Sequence, residues 1–130
     1  MICVLDTSAA IELYLVRPQS NELQELIASA RVVVAPDLFC SEISNVFGKL
    51  FKAKHLTREQ CEDGIGICID LVDDLVPMSE LAQEVFAASI NHNATAYDMY
   101  FAVVARRYNA RLLTIDNKLK EIARKMRIVV

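Results

Sequence analysis

Residues 1–11 read MICVLDTSAAI, and the change of polarity inside this stretch sets the frame for the rest of the chain. Ile2 to Leu5 form an uninterrupted apolar run, the pattern of a strand buried on both faces in a parallel sheet. Asp6 ends that run abruptly. Thr7 or Ser8 then supplies a cap for a short helix through Tyr14. A strand that hands its last residue, an acid, to the edge of a sheet raises the question of what the acid does there.

The same alternation recurs down the chain. Ser20 opens a second helical stretch to about Ala30, followed by the strand RVVVA. Pro36 and Asp37 supply a start for a helix running through LFCSEISNVFGKLFKA. Thr57 begins TREQCEDGIGICIDLVDDL, where Thr57 and Gln60 have capping-box spacing and Gly64 and Gly66 weaken an otherwise helical pattern. An extended piece around Leu75 to Met78 precedes the helix SELAQEVFAASIN. Thr95 starts AYDMYFAVVARRYN, which gives way to the strand ARLLTI. Asp116 and Asn117 turn the chain into a short helix, and RIVV closes as a final strand. Strands separated by helices predict a three-layer α/β/α sandwich with a mainly parallel sheet. In such sheets ligands sit beyond the carboxyl ends of the strands, where Asp6 points.

At 130 residues the chain has the length of one compact domain. Its hydrophobic fraction of 54% is high, yet no apolar run reaches the roughly 20 residues that cross a bilayer. The excess suggests surface that a partner covers. The N-terminus carries Asp6 and Glu12 and no basic residue before Arg17, unlike a secretory leader, so a cytoplasmic protein is expected. Cys3, Cys40, Cys61 and Cys68 form no CxxC pair and read as reduced thiols. A net charge of -3 argues against holding nucleic acid by bulk positive field. It leaves open a polyanionic substrate met through a bound cation.

Several acids share the expected rim. Asp116 ends RLLTI as Asp6 ends ICVL, although a strand-end Asp is also an ordinary turn former or helix cap. Asp98 lies three residues after Thr95, a capping-box position, beside the stripe Tyr97, Phe101, Val104 and Tyr108. Glu42 falls between Leu38 and Val46, inside an apolar helical stripe where a charge must be paired or coordinated. Clustered carboxylates repel one another unless something positive sits among them. Except for Lys118, no basic residue adjoins these four positions. A hard divalent cation, Mg²⁺ or Mn²⁺, fits the oxygen donors and would support attack of water on a phosphodiester. By contrast Asp70, Asp73 and Asp74 recur along one helix and read as a solvated face. The three glycines form neither GxxxxGK[ST] nor GxGxxG, and His55 and His92 have no identifiable Ser or Cys partner.

VLDTSAAI, the acid in CSEISNVF, and TAYDMYFAVVA followed by LLTID together resemble the PIN-domain ribonucleases, and among these the VapC-type toxins of toxin-antitoxin systems. The similarity covers nearly the whole chain. It implies that Asp6, Glu42, Asp98 and Asp116 form the family's acidic quartet. Asp6 and Asp98 would be the surest metal ligands, with Glu42 and Asp116 completing the site or positioning water. Thr7 and Thr114 match polar residues that accompany the quartet, and Met99 replaces the small residue common after the third acid, reshaping one wall of the cleft. The resemblance further implies an RNA substrate, a homodimer and a VapB-like antitoxin that blocks the cleft. Two basic groups, Lys49, Lys52, Lys54 and Arg58, and Arg106, Arg107 and Arg111, are candidates for guiding phosphates. Their ordinary reading is solubility and helix C-terminal charge.

Other readings remain at this level. A receiver-like phosphoacceptor module would need paired acids after the first strand, where this chain has Thr7 and Ser8. An RNA- or protein-binding module without hydrolytic activity would not need all four acids. A non-toxin nuclease of the same family, including one acting on DNA, is open because nothing visibly reads the 2′-hydroxyl.

Overall fold

The computed structural model describes all residues, 1–130. Four strands, β1 (Ile2–Leu5), β2 (Val32–Pro36), β3 (Asp74–Val76) and β4 (Arg111–Leu113), pair in the order β3-β2-β1-β4. Every pairing is parallel. Each neighbour pair therefore needs a crossover, and helices supply it: α1 (Thr7–Tyr14), α2 (Ser20–Ser29), α3 (Leu38–Lys52), α4 (Arg58–Asp70), α5 (Ala82–His92), α6 (Ala96–Arg107) and α7 (Asn117–Lys125). The outcome is the α/β sandwich expected from the alternation.

Helices α1, α3 and α4 pack on one another, while α6 lies against β1, β2 and β4 and carries α5 and α7 at its sides. Helix α6 is the central pillar. Its residues Met99 and Phe101 to Ala105 are all buried, which is why TAYDMYFAVVA is apolar almost all round rather than along one stripe. Met99 is fully buried in this core, so it forms no wall of a cleft.

The glycine that weakens the helical pattern has a packing reason. A Cβ at Gly64 would lie 2.5 Å from Phe47 Cζ and 2.9 Å from Tyr14 Cζ. Those two rings meet edge to face at 5.2 Å, and the bare backbone of α4 lets α1 and α3 approach it. The Thr57–Gln60 capping box forms in full at the start of α4.

Several boundaries differ from the sequence pattern. Pro36 ends β2 instead of opening a helix, and α3 starts at Leu38. Helix α4 stops at Asp70, so the acids after it do not share its face. Asp73 instead accepts a hydrogen bond from the Val33 amide at 2.8 Å, a side chain filling the place of a strand partner. The closing segment RIVV is not a strand. One backbone bond joins it to β4, from the Leu112 amide to Val129 O at 2.8 Å, beside a side-chain bond from Arg111 to Val130 O at 3.3 Å, and one such backbone bond does not make a ladder. No helix is long and apolar enough to cross a membrane.

Candidate active site

Asp6 follows β1 directly, whereas Asp116 does not end β4 itself but stands three residues beyond its last residue, Leu113, at the cap of α7. Because β1 and β4 are parallel neighbours with Leu5 opposite Leu113, both acids emerge at the same carboxyl edge. The Asp6 amide donates to Leu113 O at 3.0 Å, which locks that register through the last strand residue. Glu42 comes from the second turn of α3, and Asp98 from the first turn of α6.

Three of these side chains show that they sense one another. Burial is the main influence on Asp6, raising its carboxyl above the usual range. Hydroxyls of Ser8 and Thr114 and the backbone at residue 7 pull it back, and the charge of Asp116 raises it further. Glu42 is raised chiefly by burial, lowered by Thr7, and raised again by Asp6 and Asp98. Asp98 is raised by burial first and then by Asp116 and Asp6, with Lys118 and Thr95 opposing. The four acids thus share one electrostatic environment. None of them forms a salt bridge, since the chain's ion pairs are Arg58–Glu62 and the two arginines on Glu84.

Hydroxyls take the place of cations around them. Thr7 Oγ1 donates to Glu42 Oε1 at 2.8 Å, joining the start of α1 to α3. Ser8 Oγ and Thr114 Oγ1 both donate to Asp6 Oδ2, at 2.6 and 2.7 Å. The triplet Asp6-Thr7-Ser8 therefore holds the rim together from one short piece of chain. Asp116 keeps its ordinary role as well, since its Oδ1 caps α7 by accepting from the amides of Lys118 and Leu119 at 2.9 and 3.2 Å. Its second oxygen is not used by that cap.

No three His, Cys, Asp or Glu side chains stand around a common point as they lie. The donor chemistry nevertheless fits Mg²⁺ or Mn²⁺: all-oxygen groups, Asp6 buried, Glu42 and Asp98 half-buried and Asp116 exposed, with no ion pair to neutralise them. Mg²⁺ takes as few as one or two carboxylates and fills its octahedron with water and phosphate, so a closed protein cage is not required.

The sequence matches the PIN domain family over residues 3–125. The chain belongs to the PIN-domain family. Its similarity extends to Ribonuclease VapC3 of Pyrobaculum aerophilum, 25% identical over 123 residues that cover 93% of this chain and 94% of that one. In three dimensions this PIN domain is similar to the crystal structure of PAE2754 from Pyrobaculum aerophilum. The TM-score is 0.74 at 18% identity, covering 94% of this chain and 79% of that one. It is also similar to the crystal structure of VapBC2 from Rickettsia felis bound to a DNA fragment from their promoter. That TM-score is 0.66 at 19% identity, with 94% and 93% covered.

The basic groups of this PIN domain fall in different places. Arg106 and Arg107 occupy the last turn of α6, some 12 Å along the helix from Asp98 at a rise of about 1.5 Å per residue. Both are engaged by Glu84, at 2.8 and 2.6 Å. Arg111 starts β4, at the opposite end of the sheet from the acids. This group is structural. Lys49, Lys52 and Lys54 are exposed around the end of α3. Ser8 is the residue the sequence pattern undervalued, because a serine at a helix start reads as a cap. The helix it opens has no side-chain cap, and its hydroxyl serves Asp6 instead.

Proposed function

We propose that this PIN domain is a Mg²⁺- or Mn²⁺-dependent endoribonuclease that hydrolyses RNA phosphodiester bonds, acting in the cytoplasm as the toxin of a VapBC-type toxin-antitoxin pair. The observation that carries the reading is the gathering of Asp6, Glu42, Asp98 and Asp116 at one sheet edge with no cation of the chain paired to any of them. Similarity to a protein named Ribonuclease VapC3 supports the reaction class, and similarity to a VapBC2 structure supports a VapB-like antitoxin as partner. Four free cysteines suit a reducing compartment.

In this reading Asp6 and Asp98 hold the ion, and Glu42 and Asp116 complete its surroundings or orient water. When bound, the metal supplies a water of lowered pKa and neutralises charge building on the phosphate. Thr7 fixes one oxygen of Glu42, leaving Oε2 to accept a proton from an approaching water. The elevated affinity of Glu42 for protons, set first by burial, brings it closer to the pH at which a general base works well. Thr114 holds Asp6 in place through Oδ2.

The test is cleavage of single-stranded RNA by the purified chain with Mg²⁺ or Mn²⁺, beside a DNA of the same sequence. Asp6→Asn and Asp98→Asn should each abolish cleavage with circular dichroism unchanged, and excess chelator should do the same to the wild type. Full activity in either variant, or in chelator, overturns the mechanism. For the assembly, co-expression with the neighbouring small gene should yield an inactive complex, and light scattering of the free chain should give twice 14.6 kDa. A free chain that stays at one mass removes the homodimer from the proposal.

A further inference from the structure

The hydrogen bonds around Asp6 can be assigned donor by donor. Ser8 and Thr114 each own one hydroxyl proton, and each directs it to Asp6 Oδ2, at 2.6 and 2.7 Å. Their own oxygens then act as acceptors. Ser8 Oγ receives the Ile115 amide at 3.2 Å, and Thr114 Oγ1 receives the Asp116 amide at 3.1 Å. The 3.1 Å separation of the two hydroxyl oxygens follows from their sharing one target, since neither has a proton left for the other. Two parallel chains result. One runs from the Ile115 amide through Ser8 to Asp6, and the other from the Asp116 amide through Thr114 to the same atom.

We propose that Ser8 is a positioning residue of this site, forming with Thr114 a two-armed clasp that fixes Asp6 and the β4–α7 loop relative to one another. The inference rests on the reading of Asp6 as a metal ligand and adds a residue to it. Three features carry it. Each arm has one bond that crosses about 107 residues of sequence, so the clasp joins separate elements and does not merely tidy one turn. Both arms end on the same oxygen, so Oδ2 is saturated and Oδ1 is the atom left for a ligand beyond the chain. The loop that receives the arms carries Asp116, so the bonds that set the direction of Asp6 also set its distance from the fourth acid. A serine acting only as a helix cap would bond the amides of its own helix; Ser8 bonds one of a loop on the far side of the sequence.

The experiment compares Ser8→Ala, Ser8→Thr, Thr114→Val and the Ser8→Ala/Thr114→Val double variant by Mn²⁺ binding in electron paramagnetic resonance, without RNA, and by kcat and KM for RNA cleavage. Removing an outer partner of a metal ligand weakens metal binding by about 10–100-fold. Ser8→Ala should show a loss in that range, with kcat lowered and KM within about twofold of wild type. Ser8→Thr, which keeps the hydroxyl, should recover most of it. Because the remaining arm partly secures Oδ2 in each single variant, the double variant should lose more than the product of the two singles. The inference is overturned if Ser8→Ala binds Mn²⁺ as wild type does, or if Ser8→Thr loses as much as Ser8→Ala. Should Ser8→Ala fail to fold, the Thr/Ser comparison and Thr114→Val still decide the case through Mn²⁺ affinity. A wild type that neither binds Mn²⁺ nor cleaves RNA, with Asp98→Asn indistinguishable from it, defeats the nuclease reading itself and not the clasp alone.

Discussion

The two ends of α6 treat carboxylates in opposite ways. At its first turn Asp98 faces Asp6 and Asp116, with burial and like charge raising its proton affinity. At its last turn Arg106 and Arg107 grip Glu84 of α5 at 2.8 and 2.6 Å, and Arg107 also donates to Glu80 O at 3.0 Å. Burial pulls Glu84 upward too, but the two guanidinium groups outweigh it and leave the carboxyl below its ordinary range. One acid is left without its counter-charge and the other is supplied with two. The difference separates a carboxylate available to something outside the chain from one consumed in joining two helices.

The largest expected effect that sharpens this contrast is on catalysis. Asp98→Asn should lower kcat for RNA by at least about 1000-fold, the equivalent of some 4 kcal/mol of transition-state stabilisation. Glu84→Gln should leave kcat within about twofold. A comparable loss in both variants would erase the distinction between the two ends of the helix.

Stability should move the other way round. Glu84→Gln breaks two half-exposed ion pairs and should cost about 1 kcal/mol by urea denaturation. Asp98→Asn removes repulsion, so the metal-free variant should be more stable than wild type by up to about 1 kcal/mol near neutral pH. A clear loss of stability in metal-free Asp98→Asn would mean that its carboxylate is already paired within the chain.

The pH dependence separates the two ends by sign. Asp6, Glu42 and Asp98 bind protons more tightly folded than unfolded. Their contribution in chelator is greatest below the ordinary carboxylate range and is lost as pH rises through the elevated folded values. For Glu84 the folded value is depressed. Its contribution is present above the ordinary range and disappears as pH falls through that depressed value. Urea midpoints in chelator from about pH 4 to pH 7 should therefore fall less steeply with rising pH in Asp98→Asn than in wild type, and Mn²⁺ should flatten the wild-type slope.

The smallest effect concerns Lys118, which lowers Asp98 only in part. Lys118→Ala should change cleavage by less than about threefold, as expected for an exposed charge. A loss above tenfold would assign it a direct contact with RNA phosphate.

Much of the fold was legible because strand and helix periods are local properties. ICVL, VVVA and RLL are short apolar runs, and the helices between them carry caps or stripes. The errors occurred where a tertiary contact replaced a local signal. Asp73 left the helical pattern because the Val33 amide needed an acceptor, and RIVV failed as a strand because a single backbone bond joins it to β4. The family resemblance sets Met99 on a wall of the cleft, yet its helix turns it into the core.

The site divides along the same line. Residue type and order by themselves determined that Asp6 follows a strand directly and that Glu42 sits where a bare charge is costly, since a charge in an apolar stripe is visible without coordinates, whereas Asp116 caps α7 three residues beyond the end of β4. They did not determine which groups satisfy those acids. Thr114 reaching Asp6 depends on the parallel pairing of β1 and β4, which brings residues 108 apart in sequence to 2.7 Å, and Thr7 reaching Glu42 depends on the packing of α1 on α3. Hydroxyls carry no periodic signature, so only the tertiary structure decided which of them serve the acids and which merely face solvent.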